Sequence, residues 1–97
     1  MELLPTNAYL IGENDEITLI SPENGEDFEL EEAQKYVDGY IEIVHLNEDQ
    51  IMIVNEEGKF YKGYNQIATG IAELHHSIGP GDYIAGDVII CPSGMLK

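Results

Sequence analysis

The residues best suited to holding a ligand gather in one short stretch: Lys59, Tyr61, Lys62, Tyr64, Asn65 and Thr69. Set at a strand end and the start of a helix, they would offer an anionic nucleotide backbone N–H donors, an ammonium group and an aromatic face. The plainer reading makes Lys59 and Lys62 solvated charges at a strand edge, where lysine discourages aggregation. His75 and His76 are adjacent, and adjacent helical side chains point about 100° apart. No third ligand stands at zinc spacing from them, so they suit the negative end of a helix dipole better than a metal. Cys91, between Ile90 and Pro92 with no basic neighbour, is expected to be a buried and inert thiol, and as the single cysteine it closes no internal disulfide. The acid pairs Glu31-Glu32, Glu48-Asp49 and Glu56-Glu57 lack the alternating acids, central glycine and terminal glutamate of a calcium loop. Gly79-Pro80-Gly81 lacks the Lys-Ser or Lys-Thr of a phosphate loop, and Gly86 lacks the companion glycines of a dinucleotide turn. No nucleophile, base and oxyanion site assemble, so the expectation is a non-catalytic protein with neither metal nor cofactor.

Charge narrows the partners. The chain carries −15, and sixteen of its nineteen acids lie in residues 1–57 with Lys35 as the one base there. Residues 58–97 hold three acids against three lysines and are neutral. Arginine is absent, which removes the side chain best suited to bidentate phosphate recognition. Four lysines among nineteen carboxylates cannot drive the counterion release on which nucleic-acid binding depends. Direct nucleic-acid binding is excluded on that ground, as is docking on an anionic membrane. The carboxylates that would meet a basic partner are Glu29, Glu31, Glu32, Glu48, Asp49, Glu56 and Glu57. Their plain reading is solvated faces and turn tips that keep the protein soluble.

These side chains must be placed by a single domain of 97 residues, 43% apolar with six tyrosines. That is long enough to hide roughly 60 to 70% of the extended-chain surface. With no run of 18 apolar residues and no basic-then-apolar leader, a cytosolic, unprocessed protein is expected. Tyr40 to Tyr61 is predicted to form a three-stranded meander. Ile41 and Ile43 alternate in its first strand, and Ile51 to Val54 is a continuous apolar run suited to a strand covered on both faces and central in the sheet. The turn Asn55-Glu56-Glu57-Gly58 is predicted to need a positive φ at Gly58 and to return Lys59 to Tyr61 antiparallel. Before the meander, residues 1–7 form a loose lead-in, Ala8 to Ile11 a short edge strand, and Ile17 to Ile20 a second strand. Leu30, Ala33 and Val37 recur with helical spacing between Asp27 and Asp38, with Gly39 as the left-handed cap. After it, Asn65 is the N-cap of a helix from Gln66 to about His76, with Ile67, Ile71 and Leu74 on one face and small residues allowing close approach. Tyr83 to Cys91 is a strand interrupted near Gly86 and Asp87, and residues 92–97 are a tail. The sum is an α+β fold: a mainly antiparallel sheet of about five strands with the meander at its centre and two short helices.

Four blocks carry a resemblance: Tyr36-Val37-Asp38-Gly39-Tyr40-Ile41-Glu42, Asn55-Glu56-Glu57-Gly58-Lys59, Asn65 followed by Ala68-Thr69, and Ile84-Ala85-Gly86-Asp87-Val88. In this order they resemble a family of small domains of unknown function found in phages, plasmids and other mobile elements, over Ile17 to Ile90. The resemblance implies a mobile-element context and no activity. The chain departs from relatives that often carry basic residues beside Asn65.

The resulting expectation is a small accessory protein that binds and inhibits a host defence or regulatory protein in the host cytoplasm. The acidic surface would act like a DNA mimic on a basic partner. An alternative is an anti-defence sponge that sequesters a cyclic nucleotide immune signal, which would suit a homo-oligomer with its pocket between subunits. A third reading is an accessory protein with no inhibitory role.

Overall fold

In the computed structural model, which describes residues 3–97, five strands form one antiparallel sheet. They are β1 (Ala8–Ile11), β2 (Ile17–Ile20), β3 (Ile41–His45), β4 (Gln50–Asn55) and β5 (Val88–Pro92), in the order β2-β1-β5-β4-β3. Three helices accompany them, α1 (Leu30–Val37), α2 (Gly58–Tyr61) and α3 (Gln66–Leu74), and a 3₁₀ turn follows β5 at Ser93–Met95. The α+β class is the one the sequence predicts, with one more short helix than expected.

The apolar runs in β4 and β5 are continuous because both their faces are covered. Ile51, Ile53, Ile89 and Cys91 face Phe28 and the α1 residues Ala33 and Val37. Met52, Val54, Val88 and Ile90 face Ile84 and the α3 residues Ala68 and Ala72. Each helix therefore lies on its own side of the sheet. A fully buried Ile or Val contributes on the order of 1.5–3 kcal/mol, so these two strands hold most of the core.

Several placements differ from the expectation, each for a tertiary reason. The last strand, not β4, is the centre of the sheet, and Ala8–Ile11 is interior rather than an edge because Tyr9 pairs with Ile90. The three-stranded meander is a two-stranded β3–β4 hairpin. Lys59 to Tyr61 is helical, since the side of β4 that a third strand would need is occupied by β5. Gly58 is not among the glycines with positive φ. A Cβ there would stand 2.9 Å from the Ala85 carbonyl oxygen, so it is close approach that demands glycine. The single turn of α2 closes with the Lys62 N–H donating to the Gly58 carbonyl at 2.7 Å.

At the end of α1 the left-handed residue is Asp38, φ 60°, in place of Gly39. Asp tolerates this conformation, and the Asn55 side-chain amide donates to the carbonyls of both Val37 and Asp38 at 3.0 Å. In α3 the small residues make the closest contact. Ala68, Thr69 and Ala72 are buried, Ile67 and Ile71 are half-buried flanks, and Leu74 is exposed. Tyr83 to Ala85, predicted as the first part of the last strand, is not in it: β5 begins only at Val88, after Gly86 at φ 83°, and Ala85 makes just an isolated bridge to Tyr64.

Candidate functional site

Asn55 ends β4 and its side-chain oxygen accepts from the Glu57 N–H at 2.8 Å, which turns the chain into α2. One helical turn then sets two neighbouring aromatic residues into solvent: Phe60 is 80% exposed and Tyr61 76%. Their ring centroids lie 6.3 Å apart, and each borders a different cleft. Phe60 and Lys59 line the larger, of 670 Å³, between β3 and the loop from His76 to Ala85. Tyr61 and Lys62 line the smaller, of 480 Å³, together with Tyr40 and Glu57. The helix is an aromatic ridge between two hollows.

The lysines at this ridge are already engaged. Lys59 Nζ donates to Asp82 and lies 5.3 Å from the centroid of the Tyr83 ring, which packs on Tyr64. The Lys59 hydrogen bond, with help from the Tyr83 N–H, holds Asp82 below the usual carboxylate range. Lys62 pairs with Asp38 at 2.5 Å. That bond lowers the Asp38 pKa and raises that of Lys62. The floor of the larger cleft is apolar, formed by Val44, Val54, Ile78 and Ile84, and Glu42 and Glu56 stand among its lining residues. Glu42, Glu56 and Glu57 make no ion pair among the described residues. The arrangement therefore combines exposed aromatic rings, an apolar floor and unneutralised negative charge.

The six residues expected to form an anion pocket do not converge. Lys59 borders the larger cleft, Tyr61 and Lys62 the smaller, and Tyr64 lies on Tyr83. Asn65 and Thr69 are inside the protein, 0% and 2% exposed. Asn65 accepts from the Ala68 N–H, as the expected N-cap should, and its amide donates to the carbonyls of Ile11 and Gly86. Thr69 accepts from the Ile84 N–H at 2.9 Å. Both side chains serve the packing of α3.

The acids divide between the two ends of the sheet. Glu48 and Asp49 precede β4, on the side where α1 begins with Glu29 and Glu31, and residues 93–97 tie these parts together. Glu56 and Glu57 follow β4, a strand of six residues and so on the order of 20 Å away. Glu29 is paired with Lys97 at 3.1 Å. Glu32 is turned inward, 9% exposed, and accepts from the Glu23 N–H. The seven carboxylates thus do not form one continuous surface, because the β3–β4 hairpin separates residues that are close in sequence.

His75 caps α3 and His76 is left-handed at φ 55°. Among the described residues no group of three or more His, Cys, Asp or Glu is placed to hold a metal. Cys91 is fully buried, and burial pushes its thiol up to about 12. Sequence reasoning missed Phe60, Tyr40, Glu42 and the cleft floor. The available signal was the Phe60-Tyr61 pair shortly after an acid pair, a glycine and Lys59, which the strand assignment obscured.

An open five-stranded antiparallel sheet with one helix against each face defines a small α+β domain. The chain belongs to a family catalogued as a domain of unknown function, DUF3846, whose family model matches residues 7–94. That match extends beyond the Ile17–Ile90 span on which the four blocks lie. No curated protein and no solved structure matches the chain. No helix among the described residues is long and apolar enough to cross a membrane.

Proposed function

We propose that this protein is a non-catalytic binding domain of a phage, plasmid or other mobile element, acting in the host cytoplasm on a basic surface of a host protein and blocking it. The observation that carries this reading is the ridge of Phe60 and Tyr61 beside Glu42, Glu56 and Glu57, with both neighbouring lysines neutralised by Asp82 and Asp38. Aromatic side chains are enriched at protein interfaces and among the residues that carry most of their binding energy. Their faces attract Lys and Arg, and the surrounding carboxylates steer a basic partner toward them. A partner that otherwise grips nucleic acid would present such a surface. The α2 end is favoured over the end near Glu29 and Glu31, where Lys97 neutralises Glu29 and Glu32 is folded in. A cyclic nucleotide is disfavoured, because its phosphate would enter the larger cleft against Glu42 and Glu56 with no uncommitted lysine to receive it.

The test is capture from host lysate with the wild-type chain and a Phe60→Ser/Tyr61→Ser variant as parallel baits, each shown to be folded by circular dichroism. A basic protein should be retained by the wild type at about 50 mM salt, released by about 0.5 M, and lost by the variant. Equal retention by both baits, or retention that ignores salt, would overturn the reading.

A further inference from the structure

The free edge of the sheet runs alongside the larger cleft and carries recognition chemistry of its own. Glu56 N donates to Tyr40 O at 2.8 Å and Leu46 N to Gln50 O at 3.1 Å. Hydrogen-bonded pairs alternate along an antiparallel ladder. The register from Ile41↔Asn55 to His45↔Ile51 therefore bonds Glu42 and Val44 to β4 and turns the backbone groups of Ile41, Ile43 and His45 outward. β3 is the last strand in the order, so these groups lie on the rim of the sheet. The Ser77 hydroxyl meets the His45 carbonyl at 2.6 Å. Among the described residues no partner strand covers Ile41 and Ile43. The strand has neither proline nor lysine, and its one acidic side chain is Glu42, which repels acidic chains but not a basic one.

We propose that β3 accepts an extended segment of a basic partner as a sixth strand of the sheet. The backbone of that segment pairs with Ile41 and Ile43, and its alternate side chains enter the larger cleft. The cleft selects the occupant by complementarity: Val44, Val54, Ile78 and Ile84 take aliphatic side chains, while Glu42 and Glu56 take ammonium or guanidinium groups. A second copy of this chain is a poor occupant, since it would bring a second Glu42 and a further charge of −15 to the same edge. The inference rests on the basic-partner reading above and adds to it the geometry of engagement.

The probes are two synthetic peptides of about ten residues, the upper range of natural strands, both alternating Lys and Val. One is unmodified; the other is N-methylated on every residue, which preserves charge and side chains but removes the backbone donors from both edges of the strand. Affinity is measured by fluorescence anisotropy at low and high salt, and amide exchange in the full chain by NMR. The unmodified peptide should bind at least ~10-fold more tightly than the methylated one and slow exchange at Ile41, Ile43 and His45 by at least ~10-fold, equivalent to about 1.4 kcal/mol. Equal binding of both peptides, abolished by the Phe60→Ser/Tyr61→Ser variant and without protection at those amides, overturns strand addition and leaves the basic-partner reading standing. Binding of neither peptide at low salt also removes strand addition, and the lysate capture then decides the basic-partner reading by itself. Protection of the same amides in a peptide-free dimer would identify a second copy as the occupant and overturn the proposal.

Discussion

The side-chain amide of Asn65 donates to the backbone carbonyl of Ile11 at 3.0 Å, joining the start of α3 to the end of β1 across 54 residues of chain. The same amide donates to Gly86 O at 2.8 Å while its oxygen caps the Ala68 N–H. One fully buried side chain therefore fixes three segments. Asn65→Ala should cost about 2–4 kcal/mol, the loss of a cap added to stranded buried acceptors. Asn65→Asp keeps the cap but replaces the two N–H donors with at most the single O–H of a protonated carboxyl. Its carboxyl would be held protonated in the fold, so stability should fall as pH rises toward 7 and recover on acidification. Urea unfolding at pH 5 and pH 7.5 checks both; an Asp variant equal to wild type at pH 7.5 contradicts the assignment.

Gly58 and Gly70 should respond oppositely to alanine. At Gly58 the added methyl would meet the Ala85 carbonyl oxygen at 2.9 Å, a backbone atom that cannot step aside cheaply. Overpacking of this kind costs about 1–3 kcal/mol. At Gly70, inside α3, nothing lies within 4 Å of where the alanine methyl would sit, so alanine should stabilise by about 1 kcal/mol through helix propensity. Thermal unfolding of the two variants should bracket the wild type.

Cys91 should be silent to thiol reagents in the native protein. It is 0% exposed at the centre of the sheet, and burial pushes its pKa up to about 12, so almost no thiolate exists at pH 8. Labelling by a disulfide reagent should proceed at the rate of unfolding and accelerate with urea. Rapid native labelling at pH 8 would show that the β4–β5 region opens locally.

The Lys62–Asp38 pair predicts two pH limbs. Asp38 is lowered by its hydrogen bond from Lys62, so its contribution is present above the unfolded carboxylate pKa and lost as pH falls below about 4. Lys62 is raised, so its contribution is present below the unfolded lysine pKa and lost above about 10.5. Asp38→Asn keeps a residue that tolerates the left-handed conformation and should flatten both limbs relative to wild type. Screening by 1 M salt should shrink the difference; limbs unchanged by the substitution would assign them to other groups.

Local patterns determined much of this protein from sequence. The spacing of Leu30, Ala33 and Val37, the capping role of Asn65, the apolar runs of β4 and β5 and the inert setting of Cys91 all depend on a few neighbouring residues. Their signals survive folding because helix hydrogen bonds and strand alternation close within one or two turns of chain. Only the tertiary structure decided that Ala8–Ile11 lies inside the sheet, since its second neighbour, β5, arrives some eighty residues later. The same strand occupies the side of β4 that Lys59–Tyr61 would have needed, and that segment coils into α2 with Phe60 and Tyr61 outward. The acids on either side of β4, close in sequence, end at opposite poles because the six-residue strand runs between Asp49 and Glu56, while Glu32 turns inward to the Glu23 N–H. Which charges share a surface depends on strand order, and strand order is set by contacts between distant residues that no local window contains.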